Sequence, residues 1–212
     1  MEKSAREMTF VEGKSGVFSI LGRALSYPDK TLADDLTGGG LGNGLAAAFT
    51  PFSSNGILHQ LTGLKNLYEK EPPESVLLQL EKDYTWMCFA SKPRLVYLFE
   101  SIYREGRLFQ ESTFQIARLY REAGLEWVGE FQLPPDHIAM ELEFMAYLCF
   151  CEAEAVRLGD LEKEEYARKL QTEVLEKHLR PFGLAFSQRM EMHAGTDFYR
   201  LIARVLGSML KN

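Results

Sequence analysis

Apolar residues recur three and four positions apart along almost the whole chain, and this spacing constrains the fold more than any other feature. Val17, Ile20, Leu21, Ala24 and Leu25 stand at i, i+3, i+4, i+7 and i+8. A helix of 3.6 residues per turn gathers them on one face. Similar stripes follow at Ile57, Leu58, Leu61, Leu64, Leu67 and Tyr68, and at Leu77, Leu80, Tyr84, Met87 and Cys88. The last stripe carries Phe198, Tyr199, Ile202, Ala203, Leu206 and Leu210. No alternating run is long enough to force a sheet, and no internal repeat is present. The expected fold is all-α, a single globular bundle of roughly eight or nine helices over residues 1–212. A chain of 212 residues with 46% hydrophobic content can bury one core.

Breakers divide the stripes. Pro28 ends the first, and Asp29 is placed to cap a short helix reaching Thr37. Five glycines in the seven residues 38–44 predict a flexible loop, a place where helix exchange between chains would be permitted. Pro72 and Pro73 separate two further helices. Between Ala90 and Glu111 the periodicity fails, with Pro93 and Gly106 as punctuation and residues 94–99 able to run extended. Ser112 is expected to open a helix with Phe114, Ala117 and Tyr120, closed by Gly124. A second irregular stretch leads to Pro134 and Pro135, and helix resumes from Asp136 to about Leu158, with Gly159 as its stop. Tyr166, Leu170, Val174 and Leu175 line the next helix, and Pro181 suits the first turn of another.

Composition excludes several function classes. The formal net charge of -6 argues against nucleic acid, which asks for a clustered basic surface. The first residues contain no apolar signal region, and no run of about 18 apolar residues offers a membrane span. A cytoplasmic protein is expected, with a monomer as the default. Cys88, Cys149 and Cys151 are an odd set and do not form a disulfide framework.

The familiar chemical motifs fail in turn. Gly13-Lys14-Ser15 resembles the end of a phosphate loop, but Met8 stands where an earlier glycine is required. Gly42-Asn43-Gly44-Leu45-Ala46-Ala47 fits a dinucleotide pattern, yet no strand precedes it. Cys149 and Cys151 would point to different faces of a helix. His59, His178 and His193 are scattered. Glu141, Glu143, Glu152 and Glu154 read as a solvated acidic face. No serine or cysteine occupies a recognisable nucleophile setting, so neither catalysis nor a cofactor is expected. His137 and Glu141, at i and i+4, leave one competing reading: a helical metal-binding protein or enzyme that recruits a second histidine. A DNA-binding regulator would need a helix with clustered Lys and Arg, and none is found.

The sequence Leu133-Pro134-Pro135-Asp136-His137 resists a bland reading. Two prolines hold the backbone extended, and Asp136 follows where a helix begins. Taken alone, the segment is equally an ordinary helix cap or one edge of a recognition groove, with His137 exposed as a switchable donor.

These residues, followed by Glu141-Leu142-Glu143-Phe144-Met145, resemble the signature of the TorD/DmsD/NarJ family of chaperones that mature molybdenum-containing oxidoreductases. Its mark is a Pro-Asp-His turn that opens a long helix with an E-L-x-F-M run. Leu133 stands where some members place a glutamate. Other segments resemble family patterns in the same order. They are Tyr84-Thr85-Trp86-Met87-Cys88-Phe89, Glu100-Ser101-Ile102-Tyr103, Tyr120 through Gly124-Leu125, His178-Leu179-Arg180-Pro181-Phe182, and Asp197-Phe198-Tyr199.

The resemblance implies an all-helical cytoplasmic chaperone without turnover. Such a protein binds the twin-arginine signal peptide of a molybdopterin oxidoreductase, or its apo catalytic subunit, until the cofactor is inserted. Carried over, client binding falls to Asp136 and His137 with Pro134 and Pro135, then to Trp86, Phe89, Glu100 and Tyr103. A receptor for two guanidinium groups followed by an apolar stretch needs carboxylates and an apolar groove. Asp136, with Glu100 beside it, is expected to take the arginines or fix the groove edge. A NarJ-like member would serve a client that is not exported. Some relatives bind guanine nucleotide, but this chain has no motif for it.

Overall fold

The computed structural model describes residues 2–52, 55–126 and 133–211, with backbone alone for residues 2–7 and 55. Eleven α-helices occur among them, and no strand. They are α1 (Glu2–Leu25), α2 (Lys30–Gly38), α3 (Gly40–Phe49), α4 (Asn55–Tyr68), α5 (Pro73–Thr85), α6 (Glu100–Glu105), α7 (Glu111–Glu122), α8 (Ile138–Leu158), α9 (Leu161–Val174), α10 (Arg180–His193) and α11 (Asp197–Lys211). π-Helical turns extend α5 through Trp86–Ala90 and join α9 to α10 through Leu175–Leu179.

The centre is α8, laid against α1 on one side and α9 on the other. Val17, Leu21, Ala24 and Leu25 of the first stripe are buried, and so are Leu142, Met145, Leu148 and Cys149 of α8. Where α1 crosses α8, a Cβ on Gly22 would stand 2.8 Å from Glu143 Oε1 and 2.9 Å from its Cγ, so the exposed Glu143 side chain would have to shift. The Ser15 hydroxyl donates to the Ala146 carbonyl at 2.9 Å and pins the same pair. α10 and α11 form a second packed pair. Asp83 of α5 ties their connection to the rest by accepting from the Gly195 and Thr196 amides at 2.9 and 2.8 Å.

Most expected boundaries hold. Asp29 caps α2 by accepting from the Leu32 amide at 2.8 Å. Gly124 and Gly159 take left-handed φ values of 80° and 70° beyond the ends of α7 and α8. Cys149 is buried, while Phe150 is exposed.

Several expectations need correction. The glycine run at 38–44 is not a loop, because only Gly39 stands outside helix. Leu41, Leu45, Ala46 and Phe49 of α3 are buried, and their packing outweighs the poor helix propensity of glycine. Gly13, Lys14 and Ser15 lie inside α1, in helix and not in a phosphate loop. α7 begins one residue before Ser112, and Ser112 instead donates its amide and hydroxyl to Glu105 at 3.2 and 2.9 Å. The acidic face of α8 is not solvated throughout, since Glu141 and Glu152 are buried. Glu152 accepts from Arg168 Nε at 2.6 Å and Gln171 Nε2 at 2.7 Å. Gln171 in turn accepts from Lys14 Nζ at 3.0 Å, so this network crosses α1, α8 and α9. Part of the second irregular stretch, residues 127–132, lies outside the described residues.

Candidate functional site

The proline pair determines the local chain path at 133–137. Both rings fix φ, and Leu133 before Pro134 is held away from helix. The His137 amide then closes a tight turn by donating to the Pro134 carbonyl at 3.1 Å. From α7, the Tyr120 hydroxyl clamps the turn by donating to the Pro135 carbonyl at 2.7 Å.

The turn is stitched to the segment before α6. The Ile138 amide donates to the Leu98 carbonyl at 2.8 Å, and the Glu100 amide donates to the Asp136 carbonyl at 2.9 Å. Phe99 and His137 therefore pair in one isolated antiparallel bridge, which places the expected extended segment. That segment continues backward to the π-helical turn, where the Leu95 and Val96 amides both donate to the Met87 carbonyl.

Asp136 does not cap its own helix. It is fully buried, and its Oδ2 accepts from the Ser101 amide at 3.1 Å. Phe99 precedes α6 and offers no side-chain cap. Asp136 supplies one from across the fold. The cap of α8 is His137, whose Nδ1 accepts from the Ala139 amide at 3.1 Å. A ring that accepts at Nδ1 and is neutral carries its proton on Nε2. Burial, offset in part by the Asp136 charge, depresses the imidazole to about 4. The expectation of an exposed, switchable His137 is therefore corrected. The ring is 2% exposed and stands edge-on to Phe99 with centroids 5.3 Å apart.

Behind the turn lies a buried polar cluster. Glu100 is fully buried on α6. Its Oε1 accepts from Arg104 at 2.6 Å, and its Oε2 lies 3.0 Å from Nδ1 of buried His178. Arg104 also donates to the Lys177 carbonyl at 3.0 Å, so α6 is tied to the turn between α9 and α10. Glu141 of α8 completes the group. Burial comes first, then the charges of Glu100 and Asp136 and a side-chain hydrogen bond with Glu100, in pushing its carboxyl well above the ordinary range. The Tyr120 phenol is also raised well above its usual value, by burial and then by the charges of Glu141, Asp136 and Glu100. Neither Glu141 oxygen nor Asp136 Oδ1 receives a hydrogen bond, and Ser101 Oγ has no partner, among the described residues.

The expected site residues thus fall into two sets. Asp136, His137 and Glu100 come together, buried, beneath half-buried Pro134 and Pro135. Half-buried Tyr103 packs on Phe182 and Tyr97 at 5.7 and 6.2 Å. Trp86 and Phe89 stand apart on the π-helical turn, 57% and 47% exposed. Arg94 lies over the Phe89 ring. Arg104, Tyr120, Glu141 and His178 join the cluster without having been expected at the site. The signal for His178 and Glu141 was their place in the His-Leu-Arg-Pro-Phe and Glu-Leu-Glu-Phe-Met segments. His137 and Glu141 do not form the start of a metal site among the described residues. Nδ1 of His137 is engaged by Ala139, and no group of three His, Cys, Asp or Glu among the described residues is placed to hold a metal ion.

An all-helical fold whose signature segments meet at one buried turn defines a class, the NarJ/TorD-type chaperones. The model of the nitrate reductase delta subunit family matches residues 53–188, and the chain belongs to that family. A crystal structure described as a candidate redox enzyme maturation protein from Archaeoglobus fulgidus has a similar fold. It superposes with a TM-score of 0.56 at 21% identity, covering 95% of this chain and 94% of that one.

Proposed function

We propose that this chain is a cytoplasmic maturation chaperone. In this reading it acts as a monomer that binds the twin-arginine signal peptide, or the apo catalytic subunit, of a molybdopterin-containing oxidoreductase before cofactor insertion. Membership of the delta subunit family supports the coarse reading. The observation that carries the finer one is the convergence of signature segments on the 133–137 turn. Glu100, Tyr120, Asp136, Glu141 and His178 come from five separate segments and share one buried cluster.

The buried state of Asp136 and His137 changes their role in this proposal. They do not receive arginines at the surface but hold the shape of an edge. The exposed rings of Trp86 and Phe89 then supply apolar contact for a client segment. Aromatic anchors of this kind commonly dominate peptide affinity. No helix among the described residues is long and apolar enough to cross a membrane.

Calorimetric titration with a synthetic twin-arginine signal peptide, and separately with an apo catalytic subunit, tests the proposal. Replacing both Trp86 and Phe89 by alanine should weaken client binding by about tenfold or more, the loss of roughly 1–2 kcal/mol at a contact hot spot. Binding of the subunit but not the peptide would assign a client that is not exported. Binding of neither would sink the proposal.

A further inference from the structure

Glu141 occupies a position that an ionised carboxylate could not hold without a partner. It is fully buried, and neither oxygen receives a hydrogen bond from any of the described residues. The groups that face it come from four places. Glu100 and Arg104 approach from α6, Asp136 from the turn, Tyr120 from α7, and His178 stands behind Glu100. His137 adds no charge while its ring is neutral. Glu100 and Asp136 thus bring two further carboxyl groups toward Glu141, and the one guanidinium of the group, Arg104, is bonded to Glu100. Removing a charge from such a group relieves both the repulsion and the desolvation. A neutral carboxyl beside a carboxylate can also donate to it. Glu100 can accept a third bond, since each of its oxygens has two lone pairs and each already serves one partner.

We propose that Glu141 is a positioning residue that sets the Asp136–His137 turn by sharing one proton with Glu100, a latch holding α6 against α8. With the proton in place, α6 is fixed from both sides, by Asp136 at its amide end and by Glu141 at Glu100. When the proton leaves to solvent, two adjacent carboxylates face Asp136. The element able to yield is α6, a helix of six residues. Its movement strains the Phe99–His137 bridge and with it the turn. The upward displacement of the Glu141 carboxyl agrees in sign. A group whose folded value is raised contributes stability that is complete below its ordinary value and is lost as pH rises through the folded value. The latch does not depend on what the turn binds; only its control of a client rests on the function proposed above.

Hydrogen exchange of residues 98–106 and 133–140 tests the latch, without client, on the wild type and on Glu141→Gln and Glu141→Leu. After correction for intrinsic exchange, opening of α6 in the wild type should rise with pH by up to about tenfold per unit across the window in which opening releases the proton. Glu141→Gln, a neutral donor of the same shape, should keep the protection and lose the slope. Glu141→Leu should lose protection without a slope. A wild type with no slope overturns the latch, as does the same slope in Glu141→Gln. Glu141→Gln as unprotected as Glu141→Leu overturns it too. Because no client is present, these outcomes are read separately from those of the binding titration.

Discussion

The carboxylate of Asp136 accepts a hydrogen bond from the backbone amide of Ser101, 35 residues earlier in the chain, at 3.1 Å. It thereby caps a helix to which it does not belong. The side chain is fully buried, so its loss would leave the amide end of α6 without a partner. Asp136→Ala should destabilise the fold by about 2 kcal/mol, the upper range for a lost cap joined to a buried unsatisfied group. Asp136→Asn keeps an acceptor and should cost less. Urea denaturation measures both. An unchanged midpoint for Asp136→Ala, with α6 still protected from exchange, would remove this account of the turn.

His137 predicts an acid limb to the stability curve. Its folded value is depressed from 6.5 to about 4, chiefly by burial. A depressed histidine contributes stability that is complete above its unfolded value and is lost as pH falls toward the folded one. Between about pH 6.5 and pH 4 the loss should approach about 3 kcal/mol, from roughly 1.4 kcal/mol per unit. His137→Asn retains an acceptor suited to capping the Ala139 amide but cannot titrate in this range. It should lower stability at neutral pH, through lost contact with Phe99, and flatten the acid limb. A limb of equal steepness in that variant would assign the acid sensitivity to other groups.

The two kinds of residue in this fold were unequally legible in the sequence. The long helices were visible because burial repeats along them: Val17, Leu21, Ala24 and Leu25 are all buried, as the spacing predicts. α6 was not, since six residues are too few to display a periodic face. The site was legible as a resemblance and not as geometry. Glu141 is one of several acids on α8, marked out only by its place in the Glu-Leu-Glu-Phe-Met segment, which says nothing of its burial. What distinguishes it is contributed from elsewhere, by Glu100 on α6 and Asp136 on the turn. The pairing of His178 is equally hidden in the sequence, because its partner Glu100 is 78 residues away. Local pattern carries burial along one helix, but it does not carry the meeting of segments distant in sequence.

Gly39 is the one residue of the 38–44 run that stands outside helix. The residue joins α2 to α3 with φ at 82°, a left-handed conformation that costs any L side chain roughly 1–2 kcal/mol. Its amide donates to the Leu36 carbonyl at 3.2 Å, and its carbonyl accepts from the Asn43 amide at 3.1 Å, so both helices depend on it. A Cβ there would also stand 2.6 Å from Lys65 Cδ and 3.2 Å from Lys65 Cβ. The first contact can be relieved by side-chain movement; the second is with an atom set by the α4 backbone. Gly39→Ala should therefore destabilise by about 2 kcal/mol. Gly38→Ala should be neutral or stabilising, since nothing lies within 4 Å of its Cβ position and alanine favours helix. Paired thermal melts decide between a helical junction and a loop. In a loop both substitutions would be tolerated alike, whereas the junction requires them to differ in sign or in size by at least about 1 kcal/mol.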